Sequence, residues 1–372
     1  MVAVVEFRAA VMHQAGAPLS IETVTIDHLA PGDVLVRTKA ASICHTDLEV
    51  LEGELAYPLP MILGHEAAGV VEALGNGDDH GGLAIGDAVA LHWNPHCGHC
   101  FYCDNDQTIL CEPYTRNRAD GRHFDGHYRH SLNGQPLHML MYLGGFAEYM
   151  VVPAQSAVKL PAEMPLDRAC LLGCGVMTGF GAATRVARVA WGSVVAVQGC
   201  GAIGLSAIQG ARANGAARVI AIDLDDAKLE RARALDATDV CNAASVDPVV
   251  MVKEMSHGRG ADFVFECAGN EEAFRQSVRL SRPGGDVVWL GKVNVDKDVA
   301  FKWGTLMGER RIVRSSYGGA KPAEDFPALA RAYLNGTLKL DELVTARIPL
   351  DDINHGFDLL RQGEAIRTVI EF

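Results

Sequence analysis

Three glycines and one acid set the first chemical constraint on this 372-residue chain. Gly199, Gly201 and Gly204 have G-x-G-x-x-G spacing, and Asp223 follows them in the next apolar segment. A glycine at the first position permits a tight turn. At the second it lets a pyrophosphate approach the backbone, and at the third it lets a helix lie close against a sheet. The first N–H groups of such a helix have no internal partner and stand at the positive end of its dipole, so they accept phosphate. Asp223 is placed to accept hydrogen bonds from both hydroxyls of an adenosine ribose. A 2′-phosphate would meet it as like charge against like, so NAD is favoured over NADP. Lys228 lies within reach of the same ribose.

The cysteines set the second constraint. Cys97, Cys100 and Cys103 are spaced by two residues, and Cys111 follows. Four thiolates can wrap one tetrahedral ion and leave no open position, which is structural zinc. An iron–sulfur cluster uses the same C-x2-C-x2-C run and is the rival. The glycine and aromatic spacers and the dinucleotide motif nearby favour zinc. Cys44, His65 and Cys174 are scattered, and no local spacing links them. Two cysteines and a histidine with an open fourth position form a catalytic zinc site. Taken singly, each reads as readily as a buried cysteine or a satisfied core histidine. Asp47 and Glu66 stand beside them, where a carboxylate can orient a ligating imidazole.

These groups need elements to hold them. Residues 194–198 form an apolar, β-branched run that reads as a buried strand, 202–213 as a helix, and 219–222 as a second strand closed by Asp223. Strands at 263–266, 287–291 and 312–317 continue the alternation, with a helix at 271–280 ended by Arg282-Pro-Gly-Gly285. This is the pattern of a doubly wound parallel sheet. Residues 1 to about 90 differ. Short apolar runs at 34–40, 67–74 and 84–91 are punctuated by Pro31-Gly32, Gly53, Pro58, Pro60 and Asn76-Gly77, as in an irregular β domain. Residues 112–142, rich in Arg, His, Asp and Gly, read as a long surface excursion of the kind that shapes a pocket or an interface. A strand at 146–152 and helices starting at 167 and 176 lead into the alternation. The tail adds helices at 325–334 and 353–362 and a strand at 367–372.

Length alone suggests two domains. With 49% hydrophobic and 21% charged residues, the composition is that of an ordinary globular protein. A net charge of −13 and the lack of any basic run argue against nucleic acid or an anionic membrane as partner. No apolar stretch reaches the roughly 18 residues of a membrane span. The N-terminal residues do not follow signal-peptide order. A cytoplasmic location with reduced thiols is the expectation, and clustered cysteines there bind metal more often than they pair.

Taken together, the segments 64–69 with Gly75, the four-cysteine lobe, 173–175, 199–204 and 363–367 resemble the zinc-containing alcohol dehydrogenases of the medium-chain dehydrogenase/reductase family. The likeness covers essentially the whole chain. The stretch 112–142 looks like the longer form of the branch that contains the animal-type enzymes and glutathione-dependent formaldehyde dehydrogenase. The resemblance implies an α/β protein with a GroES-like catalytic domain over 1–175, carrying a structural zinc lobe at about 95–112 and completed by 319–372. A Rossmann NAD-binding domain would occupy 176–318. It implies one catalytic zinc held by Cys44, His65 and Cys174, with Glu66 behind it as a transient ligand, and one structural zinc held by Cys97, Cys100, Cys103 and Cys111. Thr46 would accept the proton of the alcohol. His45 and Arg367 would touch the NAD pyrophosphate, Thr178 and Ile203 would pack near the nicotinamide, and Trp93 would line the substrate pocket. Many relatives carry a proton-relaying histidine at the position that is Glu49 here, so a carboxylate would have to serve.

The reaction implied is reversible oxidation of a primary or secondary alcohol by hydride transfer to NAD. A zinc ion lowers the pKa of an alcohol much as it lowers that of water, from about 15.7 to roughly 7. Two rival enzymes belong to the same family: an S-(hydroxymethyl)glutathione dehydrogenase, and a nicotinoprotein with permanently bound NAD and an external acceptor. A non-catalytic nucleotide-binding relative would typically lack the zinc ligands, and all three are present. A homodimer is expected, paired along the sheet edge near residues 287–317, with a tetramer as the alternative.

Overall fold

Short apolar runs broken by glycine and proline cannot build long elements, and the first half of the chain folds into brief strands. A computed structural model describes residues 5–26, 28–77 and 80–372. The reading of the extreme N-terminus rests partly on residues 1–4, outside the described residues. The chain divides into two compact units, one made of residues up to 174 with 321–372, the other of 175–320.

In the first unit the strands Val5–Met12, Ser20–Ile26, His130–Leu132, Gln135–Met139 and Met61–Ile62 close a small barrel. Phe7, Val11, Val24, Ile26, Ile62 and Leu137 fill its core. A second sheet runs in the order Ala157–Lys159, Ala88–Leu91, Ala67–Leu74, Asp33–Ile43, Arg367–Glu371, Val344–Pro349. Tyr149–Pro153 also pairs with Asp33–Ile43. That long central strand is buried along most of its length, and it ends one residue before Cys44.

The stretch 112–142 corrects the sequence reading. It is no surface excursion: it contains the helix Glu112–Arg118 and the hairpin that helps close the barrel. Several of its polar residues, among them His123, Arg129 and Tyr142, are buried against protein partners. Arg129 pairs with Asp33, and with Asp125 at 2.6 Å. The ring Nε2 of His123 donates to the Val151 carbonyl at 3.1 Å. The Tyr142 hydroxyl donates to the Tyr114 carbonyl at 2.9 Å. Composition marked these residues as solvated, but these polar groups have protein partners instead.

The second unit is a six-stranded parallel sheet in the order Asp239–Asn242, Arg218–Asp223, Val194–Gln198, Ala261–Glu266, Ser281–Trp289, Arg311–Arg314. The order runs outward in both directions from Val194–Gln198, so the topological switch lies between that strand and Ala261–Glu266, where doubly wound sheets bind their ligands. Helix Ala202–Ala213 follows the glycine turn as expected. The last strand stops at Arg314, short of the expected 317, because the Gly318 N–H turns back to the Ser315 hydroxyl at 3.0 Å. The helix from Gly175 relaxes into a π-turn at Ala182–Val186. No single helix among the described residues is long and apolar enough to cross a membrane.

Three buried histidines of the first unit stay neutral. Burial lowers His92 to about 4, and His130, beside Arg129, to about 4. Burial, with Arg129 adding to it, lowers His123 to about 3. Each takes up a proton only on unfolding once the pH falls below the ordinary histidine value of about 6.5. Stability is therefore full above that pH and is lost as the pH drops toward the folded values, by on the order of 3–5 kcal/mol per histidine. We expect the urea midpoint to fall steeply from pH 6.5 to pH 4, and His123→Gln to flatten the slope. A midpoint independent of pH in this window would contradict the burial of neutral imidazoles.

Candidate active site

The strand Asp33–Ile43 delivers Cys44 to the N-cap of helix His45–Leu51. In the first turn of that helix Asp47 is fully buried, and it ties two distant segments together. Its Oδ2 accepts the Cys44 N–H at 3.0 Å. Its Oδ1 accepts the Gly64 N–H and faces the Nδ1 of His65, both at 3.0 Å. The imidazole therefore donates through Nδ1 and leaves the lone pair of Nε2 free. That Nε2 is buried and has no hydrogen-bond partner.

Cys174 arrives from the other side, at the end of the short helix Cys170–Gly173. A Cβ at Gly173 would stand 2.7 Å from the Leu91 carbonyl oxygen, so only glycine brings the segment this close. One ligand atom each from Cys44, His65, Glu66 and Cys174 lies within 4.8 Å of the others. Two sulfurs, an unpaired buried imidazole nitrogen and a carboxylate are a donor set that suits zinc.

The electrostatics match a site built for a cation. A hydrogen bond from Cys174 holds the Cys44 thiol well below the ordinary cysteine range, with Arg367 and His65 assisting against burial. The same pairing, with burial, pushes Cys174 up. Burial depresses His65, but Asp47 and Cys44 outweigh it and the net shift is upward. Burial raises Glu66 to about 7 against the charge of Arg367. Arg367 grips the Glu66 carboxylate at 3.0 and 3.2 Å and reaches the Cys44 sulfur at 3.7 Å. His45 is exposed, while Thr46 and Glu49 are half-buried on the same helix. Trp93 is buried, its ring 6.3 Å from that of Tyr114.

Cys97, Cys100, Cys103 and Cys111 form a second cluster, again with ligand atoms within 4.8 Å. The Cys97 N–H donates to the Cys111 sulfur at 3.3 Å, and Cys100 lies 3.5 Å from Cys103. The Glu112 N–H lowers the Cys100 thiol to about 6. Four sulfurs with backbone N–H support fit a closed tetrahedral ion.

In the second unit the three glycines divide the labour by sterics. Gly199 has φ +86°, and a Cβ on it would stand 2.8 Å from the Ala268 nitrogen. A Cβ on Gly204 would overlap the Gly199 carbonyl oxygen. Around Gly201, at the helix N-cap, nothing lies within 4 Å, which leaves a cradle of the kind a pyrophosphate fills. Asp223 accepts the Cys200 N–H at 2.7 Å on one oxygen, and the Leu224 and Asp225 N–H groups at 2.7 and 3.1 Å on the other. Those bonds fix the carboxylate and leave lone pairs for hydroxyl donors. Lys228 is half-buried on helix Asp226–Ala234, and Ile203 is half-buried beside Gly204. The buried Thr178 hydroxyl has no partner.

Sequence reasoning missed Glu266. It is fully buried, and its Oε1 accepts the Ala268 and Gly269 N–H groups at 2.9 and 2.8 Å, fixing the loop that packs on Gly199. An acid closing a buried strand just before a glycine was the available signal. Also missed was the aromatic group of Tyr57, Tyr114 and Tyr142 around Arg118, because the segment that carries most of it read as surface.

Comparison with known proteins agrees with this geometry. Residues 30–162 match the model of the alcohol dehydrogenase GroES-like domain, and 202–335 that of the zinc-binding dehydrogenases. The chain is 37% identical to an alcohol dehydrogenase class-3 of Caenorhabditis elegans, over 99% of this chain and 97% of the relative. It is also 37% identical to an S-(hydroxymethyl)glutathione dehydrogenase of Saccharomyces cerevisiae, over 98% and 95%. Among solved structures, a zinc-binding-domain alcohol dehydrogenase protein of Burkholderia ambifaria superposes with TM-score 0.94 at 34% identity. The coverage there is 99% of both chains. A benzyl alcohol dehydrogenase of Acinetobacter calcoaceticus gives 0.93 at 30%, again over 99% of both. The protein is an oxidoreductase whose cofactors are zinc and a nicotinamide dinucleotide. With its GroES-like unit, its Rossmann unit and its two cysteine-rich clusters, the chain belongs to the zinc-dependent alcohol dehydrogenases of the medium-chain dehydrogenase/reductase family.

Proposed function

We propose that the protein oxidises a primary or secondary alcohol reversibly, with NAD as hydride acceptor. Cys44, His65 and Cys174 hold the catalytic zinc, with Glu66 as a transient ligand, and Cys97, Cys100, Cys103 and Cys111 hold the structural one. The free, buried Nε2 of His65, oriented by Asp47, is the observation that carries this reading. When bound, zinc supplies a Lewis acid that eases loss of the alcohol proton, and NAD supplies the hydride acceptor. The chain's own residues do the rest. Asp47 fixes the His65 tautomer and the Cys44 backbone. Thr46 accepts the substrate proton at its hydroxyl, and Glu49 passes it toward solvent. Trp93 lines the pocket and excludes water. Gly199, Gly201 and Gly204 receive the pyrophosphate, with His45 and Arg367 supplying positive charge. Thr178 and Ile203 face the nicotinamide. Asp223 and Lys228 take the adenosine ribose, which favours NAD over NADP.

The catalytic domain spans 1–175 with 319–372, and the nucleotide domain 176–318. A homodimer pairs along the edge strand Arg311–Arg314, supported by the exposed Trp303, Met307 and Val313 nearby; a tetramer is the alternative. A cytoplasmic location is supported by ten cysteines with no disulfide. The names of the class-3 and S-(hydroxymethyl)glutathione relatives favour a second reading, in which the alcohol is the glutathione adduct of formaldehyde.

One assay separates the readings. The zinc-replete enzyme is given NAD with simple alcohols, or with formaldehyde and glutathione, and nucleotide retained after dialysis is measured. We expect turnover of simple alcohols without glutathione and loss of nucleotide on dialysis. Turnover only with glutathione selects the second reading, retained nucleotide with turnover only on an added acceptor selects a nicotinoprotein, and no turnover at all overturns the proposal. Asp47→Asn should cost about 10–100-fold in zinc affinity at one of two sites, read by competition with a chelator; equal affinity would remove Asp47 from this role. Glu49→Ala should lower kcat about tenfold near neutrality, with the deficit shrinking as rising pH supplies hydroxide. A loss equal at every pH would mean that Glu49 packs and does not relay.

A further inference from the structure

A doubly wound sheet takes its dinucleotide at the carboxyl ends of its strands, where Gly199 stands. The same unit carries a second cavity, of about 380 Å³, with a different chemistry. Arg185, Arg188 and Arg311 line it, and Asp286 is the only acid among the described residues that do. Arg311 opens the last strand, so the cavity lies toward the amino ends, away from the glycine turn. The Arg311 fork grips the Asp286 carboxylate at 2.5 and 2.8 Å, so that acid is committed. Three guanidiniums against one carboxylate leave two positive charges in excess, on a chain whose net charge is −13. Val287, Val288 and Val313 add apolar surface to the same walls.

The backbone presents Arg188 by unusual means. Helix Gly175–Gly181 widens into the π-turn Ala182–Val186. The chain leaves that turn with the Ala187 N–H on the Ala182 carbonyl at 2.8 Å and the Val189 N–H on the Ala183 carbonyl at 2.9 Å. Between them Arg188 takes φ +49°, the left-handed region that glycine fills without strain. Its side chain is exposed and has no ion pair among the described residues. π-Turns and left-handed non-glycine residues collect at functional sites, where the surrounding fold holds them against their own preference. Guanidinium forks match the oxygens of a phosphate. A phosphate monoester carries about −1.5 to −2 charges at pH 7, which balances the excess in this cavity. The valines suit an organic group attached to it.

The helix that ends at this cavity also reaches the dinucleotide turn. It carries Thr178, and a Cβ on Gly179 would overlap the Ile203 carbonyl oxygen. A Cβ on Gly210 would stand 2.7 Å from the Phe180 carbonyl oxygen. Backbone packed on backbone leaves no slack between this helix and the one that opens at Gly201. We propose that Arg185, Arg188 and Arg311 form an effector site for a small organic phosphate monoester, separate from the dinucleotide site, and that its occupancy changes the affinity for NAD. By linkage, NAD changes the affinity for the phosphate by the same factor.

The probes are phenyl phosphate and inorganic phosphate, titrated calorimetrically at constant ionic strength into wild type, Arg188→Gly and Arg188→Lys. The zinc-replete protein is used in the oligomeric state it adopts in solution, since Arg311 and Val313 belong to the edge strand proposed above to pair. It is saturated with NADH, so that the dinucleotide site is filled. We expect the wild type to bind phenyl phosphate more tightly than inorganic phosphate. The Gly variant should bind phenyl phosphate about 10–100-fold more weakly, and the Lys variant should recover part of the loss. Glycine takes φ +49° freely, so the melting temperature of Arg188→Gly should be no lower than that of the wild type, which separates lost binding from lost folding. In nucleotide-free protein, saturating phenyl phosphate should change the NAD dissociation constant at least twofold in the wild type and leave it unchanged in Arg188→Gly. Equal affinity for phenyl phosphate in wild type and Arg188→Gly, or none in either, overturns the site. A preference for inorganic phosphate overturns the assignment of an organic ester. Binding that leaves the NAD affinity unmoved, or moves it equally in Arg188→Gly, overturns the effector role. None of these readouts uses alcohol turnover, so they stand apart from the activity proposed above.

Discussion

The metal centre depends on one buried carboxylate. Asp47 accepts from the Cys44 backbone, the Gly64 backbone and the His65 ring at 3.0 Å each. It thereby fixes two ligands that lie twenty-one residues apart in the chain. It also decides which imidazole nitrogen carries the proton, and so which one can bind a metal. A buried carboxylate without these three donors would be expensive; with them it turns scattered residues into a preorganised donor set.

Sterics complete what Asp47 begins. Gly64 has φ +96°, and a Cβ there would stand 2.6 Å from the Phe146 nitrogen. Gly173 meets the Leu91 carbonyl in the same way from the side of Cys174. Both glycines allow backbone to approach backbone where a side chain would hold the ligands apart. The nucleotide turn uses the same device at Gly199 and Gly204, while Gly201 is kept clear of everything.

Legibility in the sequence followed locality. The strand, turn and helix around Gly199 are encoded within some thirty residues, and they were readable as a unit because each residue's role is set by its near neighbours. The four-cysteine lobe was readable for the same reason. Cys44, His65 and Cys174 were not linked by any spacing, since the strand that ends at Cys44 and the short helix that ends at Cys174 meet only in the folded unit. The segment 112–142 was misread because composition cannot distinguish an arginine facing water from one facing Asp33 and Asp125. For that reason the phenols around Arg118 stayed invisible, and so did Glu266, whose partners are backbone groups that no pattern of residue types announces.

The C-terminal strand shows how tightly fold and site are coupled. Thr368 pairs with Ile43 and Val369 with Ser42, so Arg367 is carried to the point where the central strand hands over to Cys44. There it meets Glu66, whose own backbone carbonyl accepts the Ser42 N–H at 2.9 Å. A slip of one residue in this register would turn Arg367 to the opposite face of the sheet. Glu66 would then be a buried carboxylate without its cation, beside the Cys44 and Cys174 sulfurs. The last strand of the chain is thus part of the metal centre's electrostatics, although its sequence carries no ligand.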